Sequence, residues 1–334
     1  MPTPTLDRTV NKPATGSLSH DPEKRDAILL IAAFAAVYVI WGSTYLAIAV
    51  GIESFPPLLL AACRHFTAGL VLYPLLRWKT GIRPTPVQWR TAAITGLLLL
   101  LVGNGGVCLS ERTLPTGVAA LIVALVSFWM VLLDWLRPGG LRPAPRVVGS
   151  LILGFGGLAL LVGPAHLGGS ERVNPTGAGI LLIATFAWAW GSLYSKHNDL
   201  PSSPLLGVAM QSLVGGAALW VVGLVAGEGR QLHFAAVTAR SWIALAYLMV
   251  FGTGIGFTAY VYLLKKSTAA RVGTYAFVNP VVALFLGWLG AGETITLRTA
   301  LAAAVILTAV LLVITAPHKT AVEAAEVLPN PGEA

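Results

Sequence analysis

Charge is what this chain has least of. Only 11% of its 334 residues are Asp, Glu, Lys or Arg, less than half the share of a soluble domain, and the balance belongs in lipid. Cysteine is scarce too. Cys63 and Cys108 both fall in apolar runs, too few for a disulfide framework and best read as packing residues. No Cys or His spacing suits a metal, so none is expected. No apolar stretch precedes Ala27, which predicts no cleavable signal peptide and a first span that stays in the mature protein. No nucleotide fingerprint or P-loop occurs, so no cofactor is expected, and a primary pump is excluded unless a partner supplies the ATPase. Acidic residues are missing where a proton relay would need them: Glu53, Glu111, Asp134 and Glu293 all sit at or near the ends of apolar runs. That argues against coupling through a deep carboxylate and against a dedicated cation carrier. An intramembrane hydrolase is disfavoured as well. There is no G-x-S-x-G elbow, and His65, the only base at depth, would have to be met by Ser43 or Ser127.

What the chain does have is apolar sequence, 56% of its residues, in runs long enough to cross a bilayer. Ten spans are predicted, at 27–50, 57–76, 89–110, 116–136, 147–163, 176–195, 205–226, 241–264, 269–291 and 299–315. Short connections carrying turn formers join them, such as Pro138-Gly139-Gly140 and Asn174-Pro175. Residues 1–26 and 316–334 lack the apolar content to pack and are expected to be mobile cytoplasmic tails. The net charge of +8 is spread singly between spans, which fits membrane topology better than a nucleic-acid footprint. With the N-terminus inside, sixteen Lys and Arg fall on the cytoplasmic side and five outside, with Arg64 alone within a span. The asymmetry predicts both termini in the cytoplasm.

The chain also repeats itself. Trp41-Gly42-Ser43-Thr44-Tyr45 returns as Trp190-Gly191-Ser192-Leu193-Tyr194, and at the same offset of 149 Gly103-Asn104-Gly105 falls on Gly252-Thr253-Gly254. Two matches at one offset predict duplication of half the chain. Five spans per half is an odd number, so the second half starts from the opposite side. The fold class expected is therefore an all-α integral membrane protein of ten transmembrane helices in two inverted five-helix repeats, 27–163 and 176–315. Such repeats place a binding site where they meet and allow alternating access.

The WGSTYLAI string from Trp41, the Pro56-Pro57 pair, Arg64, the Gly103-Asn104-Gly105 triplet, the Tyr275 to Pro280 stretch and Gly292-Glu293 together resemble bacterial EamA-type members of the drug/metabolite transporter superfamily. The resemblance runs from about residue 27 to 315. It implies a ten-helix inner-membrane carrier, often an exporter of amino acids, other metabolites or drugs. Relatives carry proline in both halves where this chain has Ser127 in the fourth span and Pro280 in the ninth. The bend expected of the ninth helix therefore does not carry over to the fourth.

Candidate site residues follow from polarity and aromaticity inside spans. Arg64 is an ionisable group in lipid, and its planar fork suits a substrate carboxylate; tying helix ends together through backbone carbonyls is the other role open to it. Tyr38, Trp41 and Tyr45 share one face of the first helix, and Trp188 and Ser192 one face of the sixth. With Tyr260, they make an aromatic cavity wall or, individually, helix contacts. Asn104 lies among glycines, where a bond to a neighbouring helix is favoured over one to substrate. Tyr275 and Asn279 group with Pro280, which frees the Ala276 carbonyl and marks a bending point or gate. Trp78, Trp89 and Trp242 are expected as interface anchors. The function expected is secondary export of amino acids or related small metabolites. A drug, nucleoside or sugar-type carrier of the same fold is the alternative, and an enzyme or receptor the outlier. The partners expected are a small-molecule substrate and the lipid bilayer.

Overall fold

The computed structural model describes residues 22–114, 116–140, 142–162, 174–291 and 296–316. Residues 1–21 and 317–334 of the two tails, with Gly292 and Glu293, lie outside the described residues, while residues 22–26, expected as tail, form the start of α1. Within them every regular element is helical. The helices in chain order are α1 (Pro22–Ile52), α2 (Pro57–Thr80), α3 (Pro86–Ser110), α4 (Thr116–Leu136), α5 (Pro145–Val162), α6 (Pro175–His197) and α7 (Pro204–Val225). They are followed by α8 (Ala239–Lys266), by α9, which opens as Ala269–Gly273 and continues as Tyr275–Ala291, and by α10 (Leu297–Ile314). Eight are long and apolar enough to cross a membrane, while α4 and α5 contribute the shorter apolar stretches Ile122–Leu136 and Pro145–Leu161. Among the described residues, ten helices thus stand at the ten expected spans, eight of them meeting that length and hydropathy and two with shorter apolar stretches. At 31 residues, α1 starts five earlier than expected and runs roughly 46 Å, more than a bilayer's hydrocarbon thickness.

Local chemistry sets the helix starts. Thr85, Asn174, Ser203, Thr238, Thr268 and Thr296 each cap the helix that follows, accepting a backbone N–H through the side chain. α2 has no such cap, since Pro56 offers no side-chain acceptor. Its orphan donors are met from far along the chain: the Leu58 and Leu59 N–H groups donate to the Glu228 carboxylate at 3.3 and 3.0 Å. Glu228 is buried. Its negative charge faces the positive end of the α2 dipole and fixes the height at which that helix enters the bundle.

Two helices depart from α geometry. Leu97–Asn104 in α3 and Leu248–Phe257 in α8 are π-helical. A π turn is rare and usually short, so runs of eight and ten residues starting 151 positions apart mark equivalent places in the two halves. Helix pairing has the same character. α2 packs on α7, α5 on α10, α4 on α6 and α9 on α1, so exchanging each helix for the one five places on reproduces the set. Glycine makes the α2–α7 approach close. A Cβ on Gly216 would sit 2.4 Å from the Phe66 nitrogen, and one on Gly69 2.6 Å from that of Leu213.

The ends of α6 and α8 are held by a reciprocal clamp. Lys196 donates to the Leu264 and Ser267 carbonyls, and Lys265 donates to the Lys196 and Asn198 carbonyls at 2.9 Å. Cations at helix C-termini satisfy the last free carbonyls and match the dipole. Beside the clamp, Asp134 at the end of α4 pairs with Arg137 at 2.7 Å and lies 3.5 Å from His197.

Candidate functional site

A cavity of about 90 Å³ lies at the centre of the bundle, between helices of both halves. Seven of the ten residues singled out from the sequence as substrate-binding or cavity-lining border it: Trp41, Tyr45, Arg64, Asn104, Trp188, Tyr275 and Asn279. Tyr38, Ser192 and Tyr260 do not. Tyr38 bonds Thr274 at 2.6 Å, joining α1 to the start of α9. Tyr260 is fully buried behind the wall, where its hydroxyl meets Ser192 Oγ at 2.6 Å and accepts the Trp188 indole N–H at 3.1 Å. These residues hold the lining in place. Pro280 lies inside α9, one position beyond Asn279.

The wall is aromatic. Trp41 meets Trp188 edge-on at 5.6 Å, Tyr260 at 4.8 Å and Tyr275 at 5.1 Å between ring centres. Each such pair adds about 0.5–1.5 kcal/mol beyond burial. Trp41 is tied further by its indole N–H, which donates to the Gly252 carbonyl at 3.2 Å. The π run of α8 allows this approach because a Cβ on Gly256 would lie 2.6 Å from Trp41 Nε1. In α3 the mirror arrangement holds, with the Gly103 position 2.8 Å from the Trp188 ring. The third helix of each half thus receives the tryptophan of the other half.

Arg64 is the only Lys, Arg, Asp or Glu among the described residues that line the cavity. It is 5% exposed, donates from Nε to Thr253 Oγ1 at 2.9 Å and packs Nη2 where a Gly252 side chain would otherwise be. Among the described residues no carboxylate pairs with it. A buried cation with an unused face on a cavity attracts an anion strongly, since leaving it unpaired costs several kcal/mol (about 3–5 when a partner is removed). Two more unspent groups border the same cavity. Asn279 Oδ1 and His65 Nε2 are buried without a hydrogen-bond partner. The carbonyl role left open for Arg64 is not seen among the described residues; its hydrogen bond goes to a hydroxyl.

Sequence reasoning missed Thr44, Ile48, Val107, Thr185 and Phe257 as lining residues. They are ordinary in apolar helices, and the only available signal was their one-turn spacing from Trp41, Tyr45, Asn104, Trp188 and Tyr260. His65, expected as a helix contact, does approach Thr253 at 3.5 Å through Nδ1, while its ring also borders the cavity. Asn104 borders it too, approached by Cys108 Sγ at 4.0 Å and by the His65 side chain. Past the end of α3, Glu111 is half-buried, its carboxylate has no hydrogen bond or ion pair among the described residues, and it acts electrostatically on Tyr45 and Cys108. Burial pushes its carboxyl up to about 8.

A bundle of membrane-spanning helices around a cavity with polar corners is the make of a solute transporter. The chain belongs to the EamA-like transporter family: the family's pattern matches twice, over residues 27–163 and 175–315. This places it in the drug/metabolite transporter superfamily. It is 37% identical over 290 residues to the "Uncharacterized inner membrane transporter YedA" of Escherichia coli (strain K12), covering 86% of this chain and 92% of that one. The "Probable amino-acid metabolite efflux pump" of the same strain is 25% identical over 295 residues, covering 85% and 93%. A solved crystal structure shares the fold, with a TM-score of 0.67 at 19% identity over 86% of this chain and 97% of its own.

Proposed function

We propose that this protein is a secondary carrier exporting amino acids, or similarly small carboxylate-bearing metabolites, across the bacterial inner membrane. The observation that carries the reading is Arg64, a buried guanidinium without a carboxylate partner, bordering a cavity walled by Trp41, Tyr45, Trp188 and Tyr275. In this reading the substrate carboxylate takes the free face of the Arg64 fork. The unpaired Asn279 Oδ1 accepts from the substrate ammonium, and its side chain lies on the aromatic wall. The cavity's 90 Å³ favours a small solute, being well below the ~300–1,000 Å³ of drug-sized sites. The efflux-pump relative named for amino-acid metabolites points the same way.

The two repeats, 27–163 and 176–315, are inverted in this reading, with both termini cytoplasmic. Rocking of one against the other exposes the cavity to each side in turn. The doubled family match and the exchange-symmetric helix pairing support it. Pro280 serves as the bend at which α9 yields.

The test is counterflow in proteoliposomes preloaded with single amino acids. Saturable, stereoselective exchange that Arg64→Ala abolishes in a folded protein is the expected result. Exchange that survives Arg64→Ala would remove the carboxylate from the reading. Uptake confined to sugars or nucleosides would replace the substrate class while keeping the carrier. Pro280→Ala is expected to slow exchange more than it weakens binding, and a change in affinity alone would remove the bend from the cycle.

A further inference from the structure

A second concavity lies away from the central one, where α2 ends and the chain turns toward α3. It is a cleft of about 430 Å³ walled by Tyr73, Pro74, Arg77, Trp78, Gly81 and Arg83. α2 stops because Gly81 takes a left-handed φ of 65° and its N–H closes on the Arg77 carbonyl at 3.1 Å. The reversal brings Arg83 back beside Arg77. Tyr73 is braced against Trp89 of α3, 5.2 Å between ring centres. Both arginines are exposed, and no carboxylate among the described residues pairs with either.

The helix leading into this cleft is apolar on its outer face. Leu70, Val71, Leu75 and Trp78 are all exposed, Trp78 by 80%. Spacings of four and three put Val71, Leu75 and Trp78 in one stripe along the helix. An exposed tryptophan at a span end sits at the level of the lipid headgroups. The cleft therefore opens at the depth of the phosphates, with its apolar track running into the acyl region. Guanidinium forks suit phosphate oxygens. Two cations without a neighbouring carboxylate also select a headgroup of net negative charge over a zwitterionic one.

We propose that this cleft binds an anionic phospholipid, its phosphate between Arg77 and Arg83 and one acyl chain laid along Val71, Leu75 and Trp78. A soluble anion would leave the apolar stripe uncovered, so the lipid is the occupant that uses both features.

Native mass spectrometry of the purified full-length protein tests this with dioleoyl-phosphatidylglycerol and dioleoyl-phosphatidylcholine as probes. The wild type is expected to hold phosphatidylglycerol roughly tenfold more tightly, and Arg77→Ala with Arg83→Ala to lose that preference. Phosphatidylglycerol brominated in its acyl chains should quench tryptophan emission, and less so in Trp78→Phe. Arg83→Glu, a change outside the helix, serves if the double variant fails to fold, and should also lose the preference. A preference that survives in the variants, or that is absent from the wild type, overturns the proposal. So does quenching indifferent to Trp78, or displacement of the lipid by equimolar glycerol phosphate.

Discussion

The π-helical runs of α3 and α8 occupy equivalent places in the two halves, yet their polar residues are put to different use. In α3, Gly103 makes room for Trp188, and Asn104 looks onto the cavity beside His65 and Cys108. In α8, Gly252 makes room for the Arg64 guanidinium, and Thr253 is fully buried, accepting the Arg64 Nε bond. Backbone geometry is shared while side-chain duty is divided: one half presents an open amide, the other anchors the cation. A duplicated frame lets each copy specialise, because losing a polar group from one place leaves its counterpart in the other.

The widest break in this comparison should come from Gly252→Val. Its Cβ would lie 2.7 Å from Arg64 Nη2, and displacing a binding group by about an ångström costs on the order of a hundredfold in rate. Counterflow of the substrate should fall by that order. Gly254→Ala, whose Cβ meets only the Met249 carbonyl at 3.5 Å, should exchange at the wild-type rate; equal losses in both would mean the spacing of Arg64 is irrelevant.

Thr253→Val is next. It strands a charged donor, a loss of about 1.5–3 kcal/mol, so affinity should weaken roughly tenfold or more and the melting temperature should drop. Asn104→Leu removes an amide that meets the cavity, and a near-neutral melting temperature with altered affinity is expected. A reversed pattern in the pair would mean the two halves carry the opposite duties.

Gly103→Ala should have a milder effect, severalfold in affinity by order of magnitude, since its 2.8 Å contact is with a ring edge that can shift.

The last expected effect is on stability alone, through pH. Glu111 is raised from 4.5 to about 8, so the folded state holds its proton more tightly than the unfolded chain. Stability from this group is present below the unfolded value and is lost as pH rises through 4.5 to about 8. Thermal melts across that window should decline with pH in the wild type and less steeply in Glu111→Gln; parallel profiles would assign the decline elsewhere.

The sequence made the frame legible because apolar runs, turn residues and the repeat are local or directly comparable strings. Arg64 stood out for the same reason: a lone charge in a span is conspicuous without any structure. The π runs were not legible. Leu97 to Val102 reads as an ordinary apolar helix, and one extra residue per turn leaves no mark on composition. Glu228 was equally hidden, since the cap of α2 comes from a residue 170 positions after Leu58. Tyr260 and Tyr38 show the limit on aromatics. Spacing put them on plausible faces, but only packing decides whether a ring borders a cavity or braces the ring that does.

The lysine clamp between α6 and α8 has a last consequence. Each ammonium closes on main-chain oxygens, which every residue type supplies and no acid or base near neutrality can titrate. Such a fastening is insensitive to substitution on its receiving side and to proton concentration there. Its only adjustable parts are the two lysines, so changing either to methionine would loosen that end of the bundle while leaving the cavity's own chemistry intact.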